Sequence, residues 1–279
     1  MRPLPSGLPR LQWHRARKHL SDPPFSSARI VEGLVSGAAV EIDLVLTADH
    51  HFAILHDAVL DRETTGEGAV AQYEASAVKR LFRRDERGEA LAETVATLSD
   101  IVRDAAAAGI HPEALLHLDY KLDDAALSEV ALKNFAAAIA PLPGQVLVTT
   151  GDLAALARLG DADEAVRIGF DPMETECMAE LIRTRDLDRF ADNVVAACPR
   201  AEMIALHYPL LEKSALAGFD LVGAFTARGR WVDAYTLAGS LPHHAALAGF
   251  LIEAGVAMIA CDDPAGLAAA LGPRAWLLG

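Results

Sequence analysis

Cysteine, basic charge and long apolar runs are all scarce in this chain of 279 residues. Only Cys177, Cys198 and Cys261 occur, without a C-x-x-C pair, so a disulfide framework and a zinc cluster are not expected and a reducing cytoplasm fits. A net charge of −14 offers no basic surface for nucleic acid or anionic membranes. No stretch reaches transmembrane length, and the N-terminus lacks a signal-peptide core. We therefore expect a cytoplasmic protein with no nucleic-acid partner and no membrane insertion.

Strand and helix patterns alternate along most of the chain, and 52% of its residues are hydrophobic, which allows a sizeable core. This alternation predicts an α/β fold, a (β/α)8 TIM barrel. A doubly wound open sheet would usually place a glycine-rich turn after its first strand, where this chain has His14-Arg15-Ala16. The eight strand candidates are centred on Trp13, Val40, Leu116, Val146, Ile168, Ile204, Val232 and Ile259.

Three further stretches carry local expectations. The apolar run 52–55 is left out of the strand count, because it is predicted to be the returning arm of a hairpin above the barrel. The charge-dense run Lys79–Glu89 is interpreted as a solvated loop. A long helical region is predicted from Glu174 to Ala197.

Two acidic side chains share one face of the second strand. Glu41 and Asp43 are two residues apart, and a strand turns alternate side chains to the same side. Neighbouring carboxylates rarely point at one spot unless a cation holds them there. The hairpin returns His56 towards the same level. The stretch therefore predicts a metal site beside a histidine that can transfer protons.

The ends of other predicted strands add groups of matching chemistry. His14 and Arg15 end the first strand, and Asp119 and Lys121 lie two residues apart at the end of the third. Active-site residues of a barrel gather at the carboxyl ends of its strands. The site would then hold three carboxylates, two histidines and two cations. Carboxylate ligands suit one divalent cation, Mg²⁺ or Ca²⁺, and the neighbouring cations and histidines suit phosphoryl chemistry.

Taken in order, these motifs resemble the glycerophosphodiester phosphodiesterase family. The resemblance implies a barrel with a divalent cation and a small insertion between strands two and three, here at about 44–112 of a single domain spanning 1–279. The matching motifs are His14-Arg15, Glu41-x-Asp43, His56-Asp57, Leu60-x-Arg62-x-Thr64-Thr65-Gly66-x-Gly68, Asp119-x-Lys121, Ala234-Tyr235-Thr236 and Asp262-Asp263-Pro264.

The resemblance also implies an activity and a role for each matching residue. The reaction would be hydrolysis of a glycerophosphodiester, or a related small phosphodiester, to an alcohol and glycerol 3-phosphate. The implied roles are metal ligation by Glu41, Asp43 and Asp119, acid–base catalysis by His14 and His56, phosphate binding by Arg15 and Lys121, and a pocket wall at Tyr235.

Several positions depart from the family pattern. Ala16 replaces the glycine of His-Arg-Gly, the asparagine expected before the first helix is lost at 25–27, and Ala238 and Gly239 stand where another asparagine is usual. Asp119 is also shorter than the usual glutamate. A catalytically weak relative that binds a phosphate ligand is therefore the alternative. A phosphoinositide-cleaving barrel is disfavoured, because the chain shows no apolar or basic rim. A homo-oligomer is left open.

Overall fold

The strands of this protein are arranged as the sequence predicts. A computed structural model describes residues 9–275. Eight of its strands run parallel in one sheet, with helices between them. The strands are β1 (Arg10–Trp13), β2 (Ala39–Leu46), β3 (Phe52–Ile54), β4 (Phe82–Arg84), β5 (Ala90–Thr94), β6 (Leu115–Tyr120), β7 (Val146–Thr149), β8 (Arg167–Phe170), β9 (Met203–His207), β10 (Trp231–Leu237) and β11 (Met258–Cys261).

The sheet closes on itself through its first strand. Trp13 in β1 lies opposite Cys261 of β11 on one side and opposite Val40 of β2 on the other. The ring order β1-β2-β6-β7-β8-β9-β10-β11 makes a closed barrel, and each of the eight predicted strand centres falls in one of these strands. The predicted (β/α)8 TIM barrel is therefore confirmed.

The helices surround the ring, and none within residues 9–275 is both long and apolar enough to cross a bilayer. The region predicted as one helix from Glu174 to Ala197 is two, broken at Arg185, which is left-handed at φ 58°. The helices are α1 (Ser27–Ser36), α2 (Ala75–Val78), α3 (Leu98–Ala108), α4 (Glu129–Ile139), α5 (Leu153–Asp161), α6 (Glu176–Thr184), α7 (Leu187–Ala197), α8 (Tyr208–Leu216), α9 (Leu221–Ala227), α10 (Pro242–Glu253) and α11 (Pro264–Leu271).

The inside of the barrel changes from apolar to polar along its axis. Because strand side chains alternate, the next inward positions after Leu115 and Trp231 are His117 and Asp233. The polar layer therefore lies above an apolar plug at the amino ends of the strands. The plug consists of Ala39, Leu115, Leu147, Met203, Ala205, Trp231 and Met258.

One close approach joins α1 to the barrel wall. A Cβ atom added to Gly33 would lie 2.4 Å from Val40 Cγ2 and 3.3 Å from the Trp13 ring. We expect Gly33→Ala to lower the free energy of unfolding by about 1–3 kcal/mol, measured by urea titration, because Val40 and Trp13 leave no space for a methyl group. Gly249→Ala in α10 is the control, since its Cβ would meet only Arg274 Nη1, at 3.8 Å. An equal loss in both variants would contradict this reason.

The segment between β2 and β6 begins with the predicted hairpin. β3 runs antiparallel to β2, with Ile54 opposite Leu44. The charged run Lys79–Glu89, interpreted as a solvated loop, is only partly so. It contains β4, which pairs with β5 in a separate two-stranded sheet, and Arg83 is buried.

Contacts from this segment reach the loop after β1. The Arg83 guanidinium donates a hydrogen bond to the carbonyl oxygen of Pro24. Arg17 donates to Glu86, and the backbone N–H of Ser27 donates to Glu93. The loop that follows β1 is thus held by side chains from residues 83–93.

Candidate active site

A cavity of about 750 Å³ opens at the carboxyl ends of the barrel strands. Its position is the one expected for a barrel active site. Most of the side chains predicted from the sequence line it, and His56 does not. The predicted residues in its wall are His14, Arg15, Glu41, Asp43, Asp119, Lys121 and Tyr235.

Three carboxylates converge on one side of the cavity. Glu41 and Asp43 face inward from β2, and Asp119 lies opposite Asp43 on β6. Each of the three offers an oxygen within 4.8 Å of the others. Burial and the charge of Asp43 raise the pKa of Glu41 well above its usual value, and burial raises that of Asp119. The crowding of buried negative charge would be relieved by a cation.

The donor set fits a hard divalent cation. All three side chains are carboxylates, with no sulfur or imidazole among them. Asp43 is only 2% exposed, and its Oδ2 atom has no hydrogen-bond partner among residues 9–275. A buried carboxylate oxygen without a hydrogen-bond partner is available to bind a metal ion.

Two cationic side chains border the carboxylates. Lys121 Nζ lies 2.9 Å from Asp43 Oδ1 and 2.5 Å from Asp119 Oδ2. Burial disfavours the ammonium, but Asp119 and Asp43 outweigh it and raise the pKa of Lys121. Arg15 Nε lies 3.4 Å from Asp43 Oδ2. Lys121 is therefore charged, and both side chains lie where they can meet an anion bound at the carboxylate cluster.

The backbone after β1 takes an uncommon shape that serves the site. Arg15 and Ala16 are left-handed, at φ 51° and 59°. The turn directs the Arg15 backbone N–H to Glu41 Oε2, at 2.7 Å. A side chain at such a φ costs about 1 kcal/mol relative to glycine. Ala16, which is fully buried, carries this strain at the position where the family pattern has glycine.

His14 is oriented by an aspartate from the last strand. Its Nδ1 lies 2.7 Å from Asp262 Oδ1, and its Nε2 lies 4.0 Å from Glu41 Oε2. Burial would raise the pKa of Asp262, but the hydrogen bond to His14 and the charge of Arg17 bring it below the usual value. The imidazole therefore has an ionised partner at Nδ1 and turns Nε2 towards the cavity.

His56 is held by its own short network. Its Nδ1 lies 2.8 Å from Asp57 Oδ1, and Asp57 accepts from Arg62 Nε at 2.6 Å. The Arg62 hydrogen bond is the main cause that lowers the pKa of Asp57 to about 2. Glu63 accepts from the backbone N–H of His56. The network fixes the ring at the end of the hairpin, outside the cavity wall.

A chain of hydrogen bonds under the carboxylates went unnoticed in the sequence. Gln12 Nε2 lies 2.9 Å from His117 Nδ1, and His117 Nε2 lies 2.7 Å from Thr149 Oγ1. Burial lowers the pKa of His117 to about 3, so the ring is neutral. It accepts from Gln12 and donates to Thr149, whose hydroxyl donates to Asp119 Oδ1 at 3.3 Å. His117 thus supports a predicted metal ligand.

Loss of the Thr149 hydroxyl should loosen Asp119. We expect Thr149→Val to raise the divalent-cation concentration needed for half-maximal activity by about 10- to 100-fold. The matched control is Thr150→Val, because the Thr150 hydroxyl accepts from the Asp152 backbone instead. A cation requirement changed equally by both substitutions would rule out a specific role for Thr149.

The opposite wall of the cavity carries a second acidic group. Tyr235 lines the cavity as predicted, and its hydroxyl donates to Asp171 Oδ2 at 2.9 Å. Burial raises the pKa of Asp171 to about 6. The sequence offered one signal for this residue, an aspartate directly after a barrel strand.

The family model of the glycerophosphoryl diester phosphodiesterases matches residues 34–265. The chain belongs to this family. This family is named for phosphoric diester hydrolysis, the class of reaction predicted from the sequence. The matched range contains the three carboxylates and Lys121, while His14 and Arg15 precede it.

A curated relative agrees with this membership. A glycerophosphodiester phosphodiesterase from Caldanaerobacter subterraneus subsp. tengcongensis is 36% identical over 63 residues, 22% of this chain. That match spans about a quarter of the curated relative, 26% of its length.

Solved structures of the glycerophosphodiester phosphodiesterase family share the fold. A putative member from Silicibacter pomeroyi superposes with a TM-score of 0.74 at 18% identity, covering 95% of this chain and 94% of its own. One from Galdieria sulphuraria gives 0.71 at 16% identity over 95% and 98%. An Oleispira antarctica phosphodiesterase in complex with the product sn-glycerol-3-phosphate gives 0.64 at 20% identity over 95% and 97%.

Proposed function

We propose that this protein hydrolyses glycerophosphodiesters, or a related small phosphodiester, to an alcohol and glycerol 3-phosphate. The observation that carries the proposal is the gathering of Glu41, Asp43 and Asp119 beside Arg15 and Lys121 in one cavity. Family membership and the Oleispira relative with its bound product support the same reaction. The ion would be one Mg²⁺ or Ca²⁺ held by the three carboxylates. When bound, it would supply positive charge to a phosphoryl oxygen.

Arg15 and Lys121 would bind the phosphate oxygens. They already lie against Asp43 and Asp119, at the border of the carboxylate cluster. As negative charge builds on the phosphorus-bound oxygens, both cations would stabilise it, because they are fixed in place before the reaction begins.

His14 and His56 would form the acid–base pair. One would accept the proton of the attacking oxygen, and the other would protonate the leaving alkoxide. In each ring Nδ1 faces an aspartate, Asp262 or Asp57, which leaves Nε2 for proton transfer. His14 lines the cavity, whereas His56 lies outside its wall, just after β3 of the hairpin, and the substrate would have to lie between them.

The domain organisation belongs to the same proposal. We infer one phosphodiesterase domain over 1–279 with the insertion at about 44–112. The contacts of Arg83 and Glu86 with the loop after β1 support a segment that folds together with the barrel.

A panel of phosphodiesters assayed with Mg²⁺ or Ca²⁺ tests the function. We expect release of glycerol 3-phosphate from glycerophosphodiesters, measured by an enzyme-coupled assay. The alternative, a relative that binds a phosphate ligand with little turnover, is favoured by the strained Ala16 and by the Lys121 ammonium between two carboxylates. Tight binding of glycerol 3-phosphate without hydrolysis across the panel would select that alternative.

A further inference from the structure

The proposed reaction gives no role to the wall of the cavity formed by β8 and β10. Asp171 follows β8, and Asp233 and Tyr235 face inward from β10. The Tyr235 hydroxyl donates a hydrogen bond to Asp171, and Asp233 lies two residues before Tyr235 on the same face of β10. The three side chains therefore line one wall of the cavity, and their charges and those of the carboxylates on the other wall influence one another.

Asp233 is a buried carboxyl group that lacks a partner. Its side chain lines the cavity, the residue is 1% exposed, and its Oδ1 atom has no hydrogen bond within residues 9–275. Burial raises the pKa of Asp233 well above its usual value. A polar atom that is buried and unpaired costs free energy unless a ligand completes it. Asp233 lines the cavity, so a ligand bound there can reach the unpaired atom.

The neighbouring acid is already oriented towards the same space. Asp171 accepts from the Tyr235 hydroxyl at 2.9 Å and from the Met173 backbone N–H at 2.8 Å. Within the described part of the chain, no lysine or arginine forms an ion pair with Asp171 or Asp233. The cavity thus has cations on the side of Arg15 and Lys121 and, opposite them, acids without a cationic partner.

This distribution of charge fits a substrate that is anionic at one end and cationic at the other. We propose that Asp233 and Asp171, supported by Tyr235, bind a primary ammonium group on the alcohol half of the substrate. The inference rests on the proposed function and narrows it to zwitterionic phosphodiesters. A primary ammonium donates three hydrogen bonds and can satisfy both carboxyl groups at once.

Two other cations fit this wall less well. A divalent metal needs more oxygen ligands than two carboxyl groups provide, and the three-residue acidic cluster found within residues 9–275 is that of Glu41, Asp43 and Asp119. A trimethylammonium group has no N–H donor and is bound by several aromatic faces. Among residues 9–275, the tyrosines that line the cavity are Tyr120 and Tyr235, and it is Tyr235 that contacts Asp171.

Substrate preference is the first test. In wild type we expect kcat/KM for glycerophosphoethanolamine to exceed that for glycerophosphoglycerol by about 10- to 100-fold, with glycerophosphocholine below the ethanolamine diester. Asp233→Asn should remove at least about tenfold of the preference. Glu174→Gln, which removes an exposed charge at the mouth of the same cavity, should keep the ratio.

Equilibrium binding separates this proposal from the proposed function. O-phosphoethanolamine and glycerol 3-phosphate are titrated into the Mg²⁺-loaded wild type, Asp233→Asn and Asp171→Asn by calorimetry. The ammonium subsite is supported if wild type binds O-phosphoethanolamine more tightly than glycerol 3-phosphate and both variants lose this difference in affinity. This result holds even if no diester is hydrolysed. Equal preference in wild type and variants would overturn the proposal. The proposal would also be overturned if wild type bound a second Mn²⁺ ion per chain and Asp233→Asn did not. Should that variant fail to fold, Asp171→Asn and Tyr235→Phe give the same readout.

Discussion

Removal of divalent cations is expected to lower phosphodiester hydrolysis by about 1,000-fold or more, with recovery on addition of Mg²⁺ or Ca²⁺. The reason is the concentration of buried negative charge at Glu41, Asp43 and Asp119, whose oxygens lie within 4.8 Å of one another. Without a cation these groups would repel the phosphate. The measurement is the steady-state rate of protein dialysed against EDTA, before and after each metal is restored.

Thermal melting provides a readout of the same site that needs no turnover. A cation that binds only the folded state stabilises it, by about 2.7 kcal/mol at a hundredfold excess over its dissociation constant. We expect Mg²⁺ or Ca²⁺ to raise the melting temperature of the wild type and not that of Asp43→Asn. Asp104→Asn on α3 is the control, because Asp104 is exposed and does not line the cavity. Full activity in EDTA would exclude the metal-dependent mechanism.

Replacement of His14 by alanine is the second large effect, a loss of about 10²- to 10⁴-fold in kcat. The imidazole lies in the cavity wall, with Nδ1 bonded to Asp262 and Nε2 4.0 Å from Glu41. Its removal would take away one proton carrier and leave the phosphate-binding cations in place. The rate is measured at saturating substrate and metal, with His19→Ala, an exposed histidine of the following loop, as control.

His56→Ala should lower kcat by a comparable factor if both histidines transfer protons. His51→Ala, near the tip of the same hairpin, controls for disturbance of β3. Wild-type kcat in His56→Ala, together with a large loss in His14→Ala, would leave His14 as the one catalytic histidine. Asp262→Asn should cause a smaller loss than His14→Ala, because the ring remains and only its orientation suffers.

The barrel could be predicted because its signals are local. Each strand is a short apolar run next to a helical pattern, and the acids at 41, 43 and 119 follow the alternation of strands. Other features depend on closure of the ring. Asp262 meets His14 across 248 positions of sequence, and only the pairing of β1 with β11 brings them together. Asp233 is one polar residue in a buried strand, and its burial without a partner is visible only in three dimensions.

The structure also differs from the sequence-based prediction at two places of unusual local conformation or burial. Arg185 ends α6 in a left-handed conformation that usually takes glycine, so the pattern gave no stop signal there. The basic run that includes Arg83 looked solvated because charge density favours exposure, yet Arg83 lies over the Phe25 ring and bonds to Pro24. A buried arginine of this kind has no signature in sequence.

The contacts between the loop after β1 and residues 83–93 also bear on the order in which the protein is made. His14 and Arg15 leave the ribosome before the groups that fix their loop, which follow 59 to 69 positions after the residues they hold. A nascent chain that ends before Arg83 therefore carries both residues in a loop without its anchors. The loop therefore takes its final shape only after residues 83–93 have been made, and His14 gains its aspartate partner only when Asp262 has followed.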